Sequence, residues 1–405
     1  MGQAIAFAFS PLVTRIYSPE TFGIQGVFIA LISVLWPLAG LRYPMAIVVA
    51  RDEAEVIGLV RLSVWLAGGV SCLAGLALIG LNALETDWFG LRDLGLLVYL
   101  LPPALFLVTL QDVMDYRAVR LAAFHTVGVV IVAQSLLINL ARVLGGLAAP
   151  VAATLILVTS LSYGVQALML KLGLARRIAG IPSPEHVAPL RTVLRAHREF
   201  PLYRMPADLV SAMAQTIPVF LLTWLFSPAA AGFYMLARSV VNLPLNVIGT
   251  AVGNVLYSRM ADMARNNTPL FGFVTKATLV QLLPGVVTAI FAFAFPALFS
   301  FVFGEVWRPA GEFAQWMALW VVCMLANIPA VRVLPVIGAQ RLHLVFNLLL
   351  MAGGVAGMLA ARALYGTVVA SVAGYSIVTA SLYVAQIITY LYRVRRYDHR
   401  TSSHA

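Results

Sequence analysis

Twelve mostly apolar stretches follow one another with only short polar breaks, at 1–14, 22–41, 57–81, 93–114, 122–144, 149–170, 204–225, 230–256, 273–299, 313–334, 342–363 and 368–391. Crossing a bilayer core takes about 20 apolar residues in a helix. In hydrocarbon each backbone N–H and C=O must be satisfied within the protein, so runs like these fold as helices. Only 11% of the 405 residues are charged, against 61% hydrophobic, whereas a soluble domain is about a quarter charged. The expected fold class is all-α, a polytopic membrane protein of about 12 transmembrane helices in two six-helix lobes. No break is long enough to hold a soluble catalytic domain.

A short pattern occurs twice. Ser18-Pro19-Glu20-Thr21-Phe22-Gly23 and Ser227-Pro228-Ala229-Ala230-Ala231-Gly232 are both S-P-x-x-x-G between apolar segments, each with an upstream proline, Pro11 and Pro218. Proline cannot continue a helix and glycine permits a sharp turn, so both read as tight helix–helix corners. A second copy placed where a second half would begin points to internal duplication. The first apolar stretch is shorter than its counterpart before Ser227, so helix one is expected to begin ahead of residue 1.

The longest polar connector divides the chain into residues 1–170 (helices one to six), a basic connector 171–203, residues 204–391 (helices seven to twelve) and a tail 392–405. Twelve spans put both termini on one side, and basic residues favour the cytoplasm. The tail holds Arg393, Arg395, Arg396 and Arg400, so both termini are expected to be cytoplasmic. Within the connector, Ala188–Phe200 interleaves Leu190, Val193 and Leu194 with Arg191, Arg195 and Arg198. That pattern fits a basic helix on anionic lipid, and equally a linker obeying the charge bias. The net charge of +11 sits at segment ends and is nearly all arginine, so nucleic acid is not expected as a partner. Cys72 and Cys323 lie within apolar runs and read as small buried hydrophobes.

Polar groups at membrane depth are costly and carry the functional information. In helix eight Arg238, Asn242, Asn246, Thr250 and Asn254 recur every four residues, which keeps them on one slowly winding face. The face is either a wall of a hydrated cavity or a seam of interhelical hydrogen bonds. The cavity is favoured, because an arginine there needs water or an anion. In helix seven Asp208, Ser211 and Gln215 share a face; Asp208 either pairs with an arginine or carries a coupling ion, and pairing is the commoner outcome. Gln111, Asp112 and Asp115 read as interfacial. Arg15, Arg42 and Arg332 stand near helix ends, where an anchoring role competes with ligand contact. Guanidinium groups grip phosphate oxygens in pairs and stay charged, so with Arg238 these four would suit a pyrophosphate group. No histidine spacing for a metal and no P-loop is present, and no metal site or cofactor is expected.

Several stretches resemble one family. P-L-V-T-R-I-Y-S-P-E-T-F-G (11–23) and L-R-Y-P-M-A-I-V-V-A-R-D-E-A-E (41–55) look like the segments around helices one and two of the polysaccharide transporter family, the Wzx-type flippases. F-P-L-Y-R-M-P-A-D-L-V (200–210) and A-G-F-Y-M-L-A-R-S-V-V-N-L-P (231–244) are similar to its helix seven and eight openings. The resemblance implies a fold of the multidrug/oligosaccharidyl-lipid/polysaccharide (MOP) exporter superfamily, MATE-like, around a central cavity. It implies flipping of an undecaprenyl-pyrophosphate-linked oligosaccharide across the bacterial inner membrane, with polysaccharide polymerase and chain-length proteins as partners. Related lipid II flippases line their cavity with arginines of helices one, two and eight, and the resemblance carries that role to Arg15, Arg42 and Arg238. A cation-coupled multidrug antiporter of the same superfamily is the alternative, and a membrane glycosyltransferase or polymerase is disfavoured by the short outer loops.

Overall fold

The computed structural model describes residues 2–83, 91–182, 184, 186–243, 253, 255–257, 259–260, 262–266 and 268–402. Its long helices are α1 (Gly2–Ile16), α2 (Pro19–Ala39), α3 (Glu53–Ala83), α4 (Leu101–Arg120), α5 (Phe124–Ala148), α6 (Ala152–Ala179), α7 (Met205–Leu225), α8 (Pro228–Val241), α9 (Phe271–Ala292), α10 (Arg308–Arg332), α11 (Gln340–Tyr365) and α12 (Val368–Ser402). The fold is all-α, with no strand among the described residues. Ten helices there are long and apolar enough to cross a membrane. The two expected stretches outside that set are the first, only 15 residues long as α1, and the eighth, much of which lies outside the described residues.

Three expectations are revised. The ninth stretch, 273–299, is two helices: α9 stops at Ala292 and Phe295–Phe303 follows. Pro296 causes the break, because without an N–H it is tolerated in the first turn of a new helix but not inside an old one. The polar connector begins as helix, since α6 runs on to Ala179 and ends only at Gly180. Cys72 is exposed, not buried. It lies on α3 beside Leu73 and Leu76, 66% and 65% exposed. An outward face this apolar fits lipid, and a thiol there costs nothing that burial would have saved.

The chain packs as two compact units, 1–232 and 233–405. In the first, α7 packs along α2, and the reason lies in the repeated pattern. Ser18 caps α2 by accepting from the Thr21 N–H at 3.2 Å, with Pro19 in the first turn. Ser227 accepts from the Ala230 N–H at 3.3 Å, with Pro228 opening α8. Serine before proline satisfies one orphan donor while proline presets the helical φ. Each corner therefore needs two residues, Tyr17-Ser18 or Phe226-Ser227. The glycines then meet: a Cβ on Gly23 would land on the Pro228 carbonyl, and one on Gly232 on the Pro19 carbonyl. A reciprocal contact in which each copy seats the other is the mark of a local two-fold relation. The two copies of the pattern thus pack on each other.

The second unit has its own small-residue seam. A Cβ on Gly357 of α11 would strike the Gly374 carbonyl of α12, and one on Gly374 the Gly357 carbonyl. Such seams let helix backbones approach where no hydrophobic effect drives association in lipid. Beneath it Asn327 donates to Gln386 at 2.8 Å and Gln386 to the Tyr390 hydroxyl at 2.7 Å, a buried polar chain between α10 and α12.

Candidate functional site

Arg42 follows the end of α2 in a strained turn, Leu41 and Arg42 both having positive φ, 44° and 60°. Left-handed backbone at two successive non-glycine residues is held only when its surroundings insist on it. Here they do. Arg42 stacks over the Trp36 ring at 4.1 Å, its Nε donates to Asp208 Oδ2 at 2.7 Å, and its Nη1 lies 3.5 Å from Asp112 Oδ2. Trp36 Nε1 donates to the same Asp112 oxygen at 3.0 Å, and Arg204 reaches Asp208 at 3.2 Å. Arg42 is 8% exposed. Asp112, expected at an interface, is instead drawn into this network. One turn on, Asp115 accepts from Gln111 at 3.3 Å and Gln166 at 3.2 Å.

The segment after Arg42 is pinned by other ion pairs. Arg120 donates to the Ala50 and Ile47 carbonyls at 2.7 and 3.0 Å, Arg117 pairs with Glu53, and His197 meets Glu55 at 2.9 Å. The basic stretch of the connector docks on this platform as a short helix, Leu190–Ala196. Its Val193 is buried against Tyr43, Val56 and Leu59, while Arg191, Arg195 and Arg198 stay exposed. Burial pushes the Tyr43 phenol above its ordinary value.

The other expected residues divide between the units. Arg15 is exposed in the last turn of α1. Ser211 and Gln215 are exposed on α7, one face with Asp208, and Gln215 donates to Ser211 at 3.5 Å. In the second unit Arg238 is half-buried on α8, within electrostatic reach of the buried Tyr234 and the half-buried Tyr375. Asn242 is half-buried just beyond it. Asn246, Thr250 and Asn254 lie outside the described residues. Arg332 ends α10, and its guanidinium lies against Gly253, where a Cβ would crowd Nε. Of these residues the structure brings together Arg42 and Asp208, the pairing anticipated for that aspartate. Among the described residues no cluster of His, Cys, Asp and Glu could hold a metal.

Residues 12–312 match the model of a family described as polysaccharide biosynthesis protein. The chain belongs to that family. No curated protein matches this member of the polysaccharide biosynthesis protein family. Its fold is shared with solved transporters at low identity. An inward-facing multidrug resistance MATE transporter of the MOP superfamily aligns with TM-score 0.76 and 12% identity, over 98% of this chain and 95% of that one. A MATE protein in complex with MaL6 aligns at 0.62 and 13%, over 98% and 95%. A mutant of the Vibrio cholerae MATE transporter VcmN aligns at 0.58 and 15%, over 97% and 93%. This polysaccharide biosynthesis protein is therefore a multi-pass membrane protein with a MATE-like fold.

Proposed function

We propose that the protein is a flippase that carries an undecaprenyl-pyrophosphate-linked oligosaccharide, the repeat unit of an O-antigen or exopolysaccharide, across the bacterial inner membrane by alternating access. The observation that carries the reading is arginine kept within the membrane helices and flanked by tyrosines, Arg238 with Tyr234 and Tyr375, in a polysaccharide biosynthesis protein. A guanidinium there attracts an anion and the phenols offer hydroxyl donors to its oxygens. Arg15, Arg42, Arg238 and Arg332 would contact the pyrophosphate at different stages. Asn242, Asn246, Thr250, Asn254, Asp208, Ser211 and Gln215 would line the polar path for the glycan. Arg42 would have to trade Asp208 and Asp112 for phosphate, so its carboxylates set a threshold for binding. No bond is made or broken, and polymerase and chain-length proteins would take up the product. The basic tail places both termini in the cytoplasm under this reading.

A cation-coupled multidrug antiporter is the second reading, because the fold neighbours include multidrug MATE proteins. It calls for a membrane carboxylate available to a cation, and Asp208 and Asp112 are both on Arg42. The test is complementation of a bacterium lacking its own O-antigen or exopolysaccharide flippase, with membrane expression checked. Wild type should restore surface glycan and Arg238→Ala should not. Export of a fluorescent cation without glycan rescue would move the assignment to the antiporter.

A further inference from the structure

A further arginine sits among phenols in the first unit. Arg142 lies in α5, one turn before Gly146. A Cβ on Gly146 would strike Ile16 Cγ2 and the Tyr17 ring, and the Tyr17 hydroxyl donates back to the Arg142 carbonyl at 2.8 Å. Tyr163 of α6 is the other group close enough to feel the Arg142 charge. Arg142 is half-buried, its Nε is shielded from solvent with no hydrogen-bond partner, and among the described residues no carboxylate reaches it. The neighbouring faces are polar: Asn139 is buried one turn before Arg142, and Thr159, one turn before Tyr163, accepts from Gln25 of α2 at 2.8 Å.

A guanidinium held in a helix bundle without a counter-charge is costly, and proteins keep one where an anion completes it. Phenols do not complete it, because they are neutral; the Tyr17 O–H is already given to the Arg142 carbonyl, which leaves the Tyr163 hydroxyl to donate to the oxygens that the guanidinium grips. We propose that Arg142 and Tyr163, with Tyr17 holding the backbone at Arg142, form an anion site inside the first unit that receives a phosphate group of the transported lipid. The site is separate from Arg42: Tyr17 precedes the first residue of α2 and Arg42 follows its last, and 21 residues at ~1.5 Å each put them roughly 30 Å apart. The assignment of the phosphate to a transported lipid rests on the flippase reading; the anion site itself does not.

The test uses the purified full chain in detergent. Phenylglyoxal modification, mapped by peptide mass spectrometry, reports on this arginine alone. Arg142 should be modified in the free protein and protected by inorganic pyrophosphate. Farnesyl diphosphate should protect at lower concentration if a lipid-linked diphosphate is the natural ligand, and only equally well if free phosphate is. In titrations Arg142→Gln should bind pyrophosphate at least tenfold more weakly than wild type, and Arg142→Lys should recover part of the loss. Unliganded Arg142→Gln should melt no lower than wild type, an outcome that a structural role for the guanidinium would reverse. Failure of phenylglyoxal to reach Arg142, modification indifferent to both ligands, or unchanged binding by Arg142→Gln would each overturn the site. Glycan rescue by wild type together with any of these results would leave the flippase reading standing without it.

Discussion

The two ends of α2 hold arginine in opposite ways. Past its last turn Arg42 is clasped by Asp208, Asp112 and the Trp36 ring. Before its first turn Tyr17 meets Arg142, which has phenols for company and no carboxylate among the described residues. Both groups are buried or half-buried in the same unit, so depth does not distinguish them; compensation does. A clasped arginine is part of the scaffold and loses stability when a partner is removed. An uncompensated one contributes nothing to the scaffold that a neutral side chain of similar size could not supply.

That contrast can be broken most sharply at Asp208. Asp208→Ala removes the shorter of the two ion pairs on Arg42 and should cost up to about 3–5 kcal/mol, the loss when a buried pair loses one member. Thermal melting of the detergent-purified protein would read this, and an unchanged melting temperature would mean that Arg42 is not held by charge. Replacing Gly232 by valine comes next. The added carbons meet the Pro19 carbonyl, and overpacking of this kind costs about 1–3 kcal/mol; the same change at Gly23 should match it if the contact is reciprocal. Ser18→Ala and Ser227→Ala should each cost about 1 kcal/mol, as lost caps do, again measured as paired melting shifts. Smallest of all, Arg142→Met should be neutral or stabilising by up to about 1 kcal/mol, since removing an uncompensated charge recovers its desolvation. A loss there comparable to the Asp208 variant would erase the distinction between the two ends.

The corners at Ser18 and Ser227 were readable because serine, proline and glycine act through their own backbone, within a few residues of where they stand. The helical class and most segments were readable for the same reason, apolar length being a local property. Ninth-segment continuity was misjudged because Pro296 stands in an apolar run that hydropathy alone does not interrupt. Arg42 is legible as an arginine near a helix end and Asp208 as part of a helical face with Ser211 and Gln215, but their meeting across 166 residues is tertiary. Asp112 looked interfacial because nothing nearby in sequence shows Trp36 and Arg42 arriving over it. Arg142 has nothing beside it in the apolar stretch 122–144 that marks a site. What sets it apart is the empty side of Gly146 that seats Tyr17, and a glycine in an apolar helix announces no such purpose by itself.

The reciprocal seat of Gly23 and Gly232 also sets an order of assembly. Its two halves are about 200 residues apart in the chain, and a ribosome adding roughly 5–20 residues per second needs some 10–40 s to supply the second after the first. Through that interval α2 waits in the membrane with its glycine notch uncovered, and the first unit stays unfinished although its helices α1 to α7 are made before Gly232. Insertion factors that shelter polar or notched helix faces would therefore matter more to the early half of this chain than to the late half, which meets its partners as it emerges.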